Sequence, residues 1–156
     1  MPSDPHLMEK LFLGFTRPVW YNNEDPNWKY NSRGSAVIIS KRSRLYALTS
    51  AHASILNGYK PHQMMFPYES GSHQFLPIEN ISTIETGEED TDHVDVILST
   101  VSRDFNIEEV SQDSYFDLSW NIAQRCTDHT KYFVAGYPNE LNNVDYEMHK
   151  RFKLAP

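Results

Sequence analysis

Two titratable side chains in this 156-residue chain are of the types, and stand at the places, that a proton-handling pair could use. Thr49-Ser50-Ala51-His52 sits where an apolar strand ends and a short helix is expected to begin. About forty residues later, His93-Val94-Asp95-Val96-Ile97-Leu98 sets an acid at the head of an apolar strand. Imidazole is the side chain best suited to move protons near neutral pH. A carboxylate at the head of a strand loses water on one side, and it stays ionised only where something donates hydrogen bonds to it. A neighbouring imidazole does that. On residue types alone a second reading stands beside this one, in which His52 caps a helix and Asp95 tops a strand with no joint role. Asp92, in Thr91-Asp92-His93, is the alternative acid, although the apolar strand does not follow it directly.

Other constellations point to chemistry less directly. The seven histidines (His6, His52, His62, His73, His93, His129 and His149) show no H-x-x-x-H, H-E-x-x-H or Cys/His pair at ligand spacing, so no metal is expected. Glu85 to Asp92 carries five acids and no base, but it lacks the order of a calcium loop and reads as a solvated loop. Cys126, in Gln124-Arg125-Cys126-Thr127, has no glycine beside it and reads as a partly buried structural thiol. No glycine-rich phosphate loop is present, and no cofactor is expected. Phe12 to Trp28, with Phe15, Trp20, Tyr21 and Trp28, either lines the core or grips a partner.

The elements that must position these residues are short strands between turns. Gly34 to Ser40 is a β-branched run opened by glycine, Lys41-Arg42-Ser43-Arg44 suits a hairpin turn, and Leu45 to Thr49 returns as a second strand. Gln63–Tyr68, Gln74–Ile84, Val94–Val101 and Tyr132–Ala135 read as further strands, and Ala51–Asn57 as a short helix stopped by Gly58. With no long amphipathic helices between them, these strands point to an antiparallel sandwich or barrel rather than to βαβ units. Lys29 to Arg44 holds five basic residues and no acid, read as a strand edge and turn kept soluble by charge. Asp104 to Asp117 holds five acids and reads as a long surface connection between two layers or barrels.

Composition narrows the function classes. Hydrophobic residues make up 39% and charged residues 22%, a globular balance with enough apolar material for one core. Fourteen Lys and Arg against 21 Asp and Glu give a formal charge of −7, which disfavours a broad nucleic-acid surface. No apolar run approaches the ~20 residues that cross a bilayer, so no membrane partner is expected. A single cysteine and the lack of a signal-peptide pattern favour a reducing, cytoplasmic setting. The sequon Asn80-Ile81-Ser82 is then a chance match.

Taken together, Gly34-Ser35-Ala36-Val37-Ile38-Ile39, Tyr46-Ala47-Leu48-Thr49-Ser50-Ala51-His52, His93-Val94-Asp95-Val96-Ile97-Leu98 and Tyr132-Phe133-Val134-Ala135-Gly136-Tyr137-Pro138 resemble segments of the trypsin-like (chymotrypsin-fold) serine proteases, in the same order. In that family a G-S-x-V-I strand hairpins into L-T-A-A-H, a D-I-A-L-L segment follows, and a strand ending in G-Y-P or G-x-P opens the second barrel. Here Ser50 stands for the first alanine. The absence of paired cysteines is similar to bacterial-type, disulfide-free members.

The resemblance implies an all-β fold, an antiparallel Greek-key barrel of the trypsin-like type. Residues 1–105 would form the first barrel carrying His52 and Asp95, 106–130 the inter-barrel connection, and 131–156 the truncated start of the second barrel. It implies serine-type endopeptidase activity, with His52 as general base and acid and Asp95 orienting it. One departure concerns the nucleophile, because no G-x-S-G-G segment occurs. Gly71-Ser72 is followed by His73, and Gly34-Ser35 belongs to a strand. The expectation is therefore a protease domain completed by a segment absent from these residues, acting on a protein or peptide. The alternative is a catalytically inactive pseudoprotease that acts as an interaction module. An open barrel also invites cover by a second chain or by the remaining C-terminal segment.

Overall fold

The β-branched run that reads as a strand from sequence is the middle of a longer one. In the computed structural model, which describes residues 13–52, 58–69, 72, 74–83, 95–119, 143–145 and 151–153, the first strand β1 spans Thr16–Asn22 and the second, β2, spans Tyr30–Lys41. β3 (Arg44–Thr49) returns from β2 through a two-residue turn. That turn is made by Arg42 and Ser43, both with positive φ (53° and 59°). Two left-handed residues give the turn the twist that an antiparallel hairpin needs, although neither is the glycine or asparagine that usually supplies it.

Short strands β4 (Met64–Met65) and β5 (Ile78–Thr83) precede β6 (Ile97–Val101), and β7 (Phe116–Asp117) follows. They join in one seven-stranded sheet of order β4-β1-β2-β3-β6-β5, with β7 added beside β2. The pairing is antiparallel throughout except for β7, which runs parallel to β2 at Ile39 and Ser40. The sheet curls into a half-barrel. A separate hairpin of β8 (Asn143–Asp145) and β9 (Arg151–Lys153) lies within the stretch expected to begin a second barrel.

Alternation along the strands explains which face is inside. In β3, Leu45, Ala47 and Thr49 are buried while the residues between them are half-buried. Leu45 and Ala47 build the core together with Ile38, Ile97, Val101, Met64, Phe66 and Leu76. Each fully buried aliphatic side chain of this kind stabilises the fold by ~1.5–3 kcal/mol. Gly34, at φ 80°, lies where β2 inserts an extra residue opposite β1 between Pro18 and Trp20. A glycine accepts the left-handed backbone of such a bulge without Cβ strain.

Three expectations need correction. First, Lys29 to Arg44 is not a sheet edge: β2 lies between β1 and β3, and its charged residues are Arg33 and, at its end, Lys41. Second, the acidic stretch after Asp104 is more than a surface connection. It makes two 3₁₀ turns (Ile107–Glu109 and Gln112–Ser114), sends Val110 into the core and returns as β7. β1 stops pairing at Val37, so β7 takes up the free side of β2 beyond it. Third, Gln63–Tyr68 is a strand for only two residues, preceded by a 3₁₀ turn at Pro61–Gln63.

β1 escapes strand detection because it has no alternation to read. Its first six residues are all buried, and they include Arg17 and Pro18. Val19 and Tyr21 enter the core cluster, whereas Trp20, 1% exposed, lies on the alternate face. The Arg17 guanidinium, also 1% exposed, donates to the carbonyls of Gly14 (2.5 Å), Thr16 (2.8 Å), Ser114 (2.9 Å) and Tyr68 (3.3 Å). One side chain thus ties Gly14 and the first residue of β1, the loop after β4 and the second 3₁₀ turn together. Within Phe12 to Trp28, Phe15, Trp20 and Tyr21 are buried, as the core reading requires, and Trp28 is 64% exposed.

Candidate functional site

The meeting of His52 and Asp95 follows from the pairing of two strands. β3 and β6 are antiparallel, with Thr49 opposite Ile97. The end of β3 and the start of β6 therefore lie at the same end of the sheet. His52 is three residues past Thr49 and Asp95 two residues before Ile97, so both backbones leave the ladder side by side. The Ala51 N–H continues the pairing to the Asp95 carbonyl at 3.4 Å.

Asp95 holds His52 at two points. One carboxylate oxygen, Oδ1, accepts the backbone N–H of His52 at 2.7 Å, and the other, Oδ2, contacts the ring Nδ1. A carboxylate bound in this way to backbone and ring fixes where the imidazole can sit. Partial burial raises the Asp95 pKa, but the hydrogen bonds from the His52 ring and backbone, the charge attraction to His52 and the Ala51 N–H outweigh it. The net effect holds the carboxyl below its ordinary range. An ionised carboxylate only accepts, so Nδ1 carries the proton toward Asp95 and Nε2 keeps the free lone pair in the neutral ring. That tautomer is the one a general base at Nε2 requires.

Both side chains reach solvent, His52 at 64% and Asp95 at 37% exposure. Their attraction is screened there, so the pair contributes orientation more than stability. As it stands, the arrangement can take a proton at an open Nε2 and hold the resulting imidazolium against a carboxylate.

Of the remaining sequence candidates, Asp92, His93, Cys126 and the segment Tyr132–Pro138 lie outside the described residues, as does the helix expected over Ala51–Asn57 beyond its first two positions. His62 is exposed in the 3₁₀ turn before β4. Among the described residues no group of three or more His, Cys, Asp or Glu side chains comes together as a metal site. No helix of theirs is long and apolar enough to cross a membrane.

Sequence reasoning missed the second point of attachment, the His52 backbone N–H. The only sequence signal for it is position: an acid two residues before a strand that pairs with the strand leading to the histidine. No protein-family model matches the chain, and no curated protein does either, so a functional reading rests on these residues and their geometry.

Proposed function

We propose that this chain is the histidine- and aspartate-bearing part of a trypsin-like serine endopeptidase. The curled sheet would be the Greek-key first barrel, and residues 131–156 would open the second. The observation that carries the reading is the Asp95 carboxylate bridging the ring Nδ1 and the backbone N–H of His52. The resemblance of the flanking segments and the order His then Asp support it.

In this reading a serine from a G-x-S-G-G segment outside the 156 residues lies against Nε2. His52 takes the hydroxyl proton as the serine oxygen bonds to the carbonyl carbon of a peptide. The C–N bond then breaks, and the same proton passes from Nε2 to the departing amine. Water repeats the sequence to release the acyl group. Asp95 keeps the proton of Nδ1 in place throughout and stabilises the imidazolium while it lasts.

The test is carried out on the complete natural product, with a fluorophosphonate that labels activated serines and a quenched peptide substrate. His52→Ala is expected to abolish labelling and cleavage, and Asp95→Asn to lower cleavage by ~10⁴-fold through the wrong tautomer, with circular dichroism unchanged in both. Full cleavage by His52→Ala overturns the proposal. A native product that neither labels nor cleaves also overturns it and leaves the non-catalytic interaction module.

A further inference from the structure

At the opposite end of the sheet from His52, the β2–β3 hairpin and the turn after β6 enclose a cleft of about 520 Å³. Small-ligand and peptide-anchor pockets span ~300–1,000 Å³. Four cations line it: Lys41, Arg42 and Arg44 from the hairpin on one wall, and Arg103 from the turn on the other. Half-buried Tyr46, Phe105 and Ile107 supply apolar surface between them. In a chain of net charge −7 such a gathering of positive charge runs against the average.

A carboxylate already sits beside this cleft. Glu79 accepts from Arg44 Nη2 at 2.7 Å and from the Arg103 backbone N–H at 3.1 Å. The Arg44 hydrogen bond, and then the Arg103 N–H, hold its carboxyl below the ordinary range. Lys41 and Arg42 are not used up in this way. Lys41 and Arg42 form no ion pair among the described residues, and both are exposed.

We propose that this cleft binds an acidic peptide segment in which an apolar or aromatic residue lies between carboxylates. The apolar residue would rest on Tyr46, Phe105 and Ile107, and its acidic neighbours would meet Lys41 and Arg42 on one side and Arg103 on the other. Cations spread over two walls fit a chain with several carboxylates better than one compact anion. Screening within ~8–10 Å lets a short segment read this local field. A long nucleic acid would also meet the negative remainder of the surface. The proposal goes beyond the endopeptidase reading and does not depend on it.

The experiment measures fluorescence anisotropy of a short fluorescein-labelled peptide in which Glu alternates with Leu and Phe, added to the full chain. A Gln-for-Glu version and an oligo-thymidine strand serve as competing probes. The Glu peptide is expected to bind in a salt-dependent way, and the Gln peptide and the oligonucleotide to bind far more weakly. Arg42→Glu with Lys41→Glu is expected to weaken the Glu peptide by ~10-fold or more. Arg103→Glu, on the other wall, is expected to act in the same direction. Lys29→Glu, at the far end of the same basic stretch, is expected to leave binding unchanged, with circular dichroism confirming the fold of every variant. Absence of binding, equal binding of the Gln peptide, tighter binding of the oligonucleotide, or indifference to the charge reversals overturns the proposal.

Discussion

The two ends of the half-barrel each hold a carboxylate in the same way and put it to different use. At one end Asp95 takes the backbone N–H and ring of His52; at the other Glu79 takes the backbone N–H of Arg103 and the guanidinium of Arg44. Both carboxyls lie below their ordinary range. The difference lies in the partner. Imidazole gives up and regains a proton near neutral pH, whereas a guanidinium stays charged at any pH a protein meets. One end is therefore equipped to transfer a proton, and the other can only hold charge in place.

Replacing one kind of partner by the other breaks this contrast most directly. His52→Arg keeps a donor against Asp95 but removes the basic Nε2. On the proposed endopeptidase reading, peptide hydrolysis is expected to fall by ~10³-fold or more with the thermal midpoint little changed. Hydrolysis at the native rate would show that His52 acts only as a clamp, as Arg44 does.

A third guanidinium sharpens the comparison from inside the fold. Arg17 is buried and donates to carbonyls from three segments, so its loss strands several acceptors at once. Arg17→Met is expected to cost about 3 kcal/mol in urea unfolding. Arg44→Met, whose partner Glu79 is exposed, is expected to cost far less. A cost at Arg17 below that at Arg44 would reverse the ranking.

The smallest effect is the most specific. For each carboxylate the native state binds its proton less readily than the unfolded chain. The stability this brings is present above the ordinary carboxylate range near pH ~4 and is lost as the pH falls through the lower folded value. Carboxyl ¹³C titrations should place Asp95 and Glu79 below that range. His52→Ala should move Asp95 back up without moving Glu79, and Arg44→Met should do the converse. A Glu79 that responds to His52→Ala would mean that the two ends are coupled.

The strands on either side of the hairpin were legible in the sequence as short apolar runs, Gly34 to Ser40 and Leu45 to Thr49, because β-branched and aromatic residues bounded by turn residues are a local signal. The hairpin at Lys41-Arg42-Ser43-Arg44 was legible too, as a polar tetrad between two apolar runs. β1 was not, since burial on both faces removes the period and its Arg17 and Pro18 mimic a loop. The basic stretch was visible as charge but was misread as an edge, because the sequence does not tell which strand lies in the middle of a sheet.

By itself the sequence determined that the chain is built from short strands, that a histidine follows one of them, and that an acid precedes another. These are local properties, set by side-chain type and by the few residues on either side. Only the tertiary structure decided that β6 pairs with β3, past the intervening β4 and β5, with Thr49 opposite Ile97. That choice is made by the shared core, in which Ala47 and Ile97 are both completely buried. A different pairing would bury less apolar surface and would carry Asp95 away from His52. The same choice brings Arg103, at the far end of β6, opposite the hairpin arginines. Both the candidate proton-transfer pair and the basic cleft are consequences of one strand pairing, whose partners are separated by more sequence than any local pattern spans.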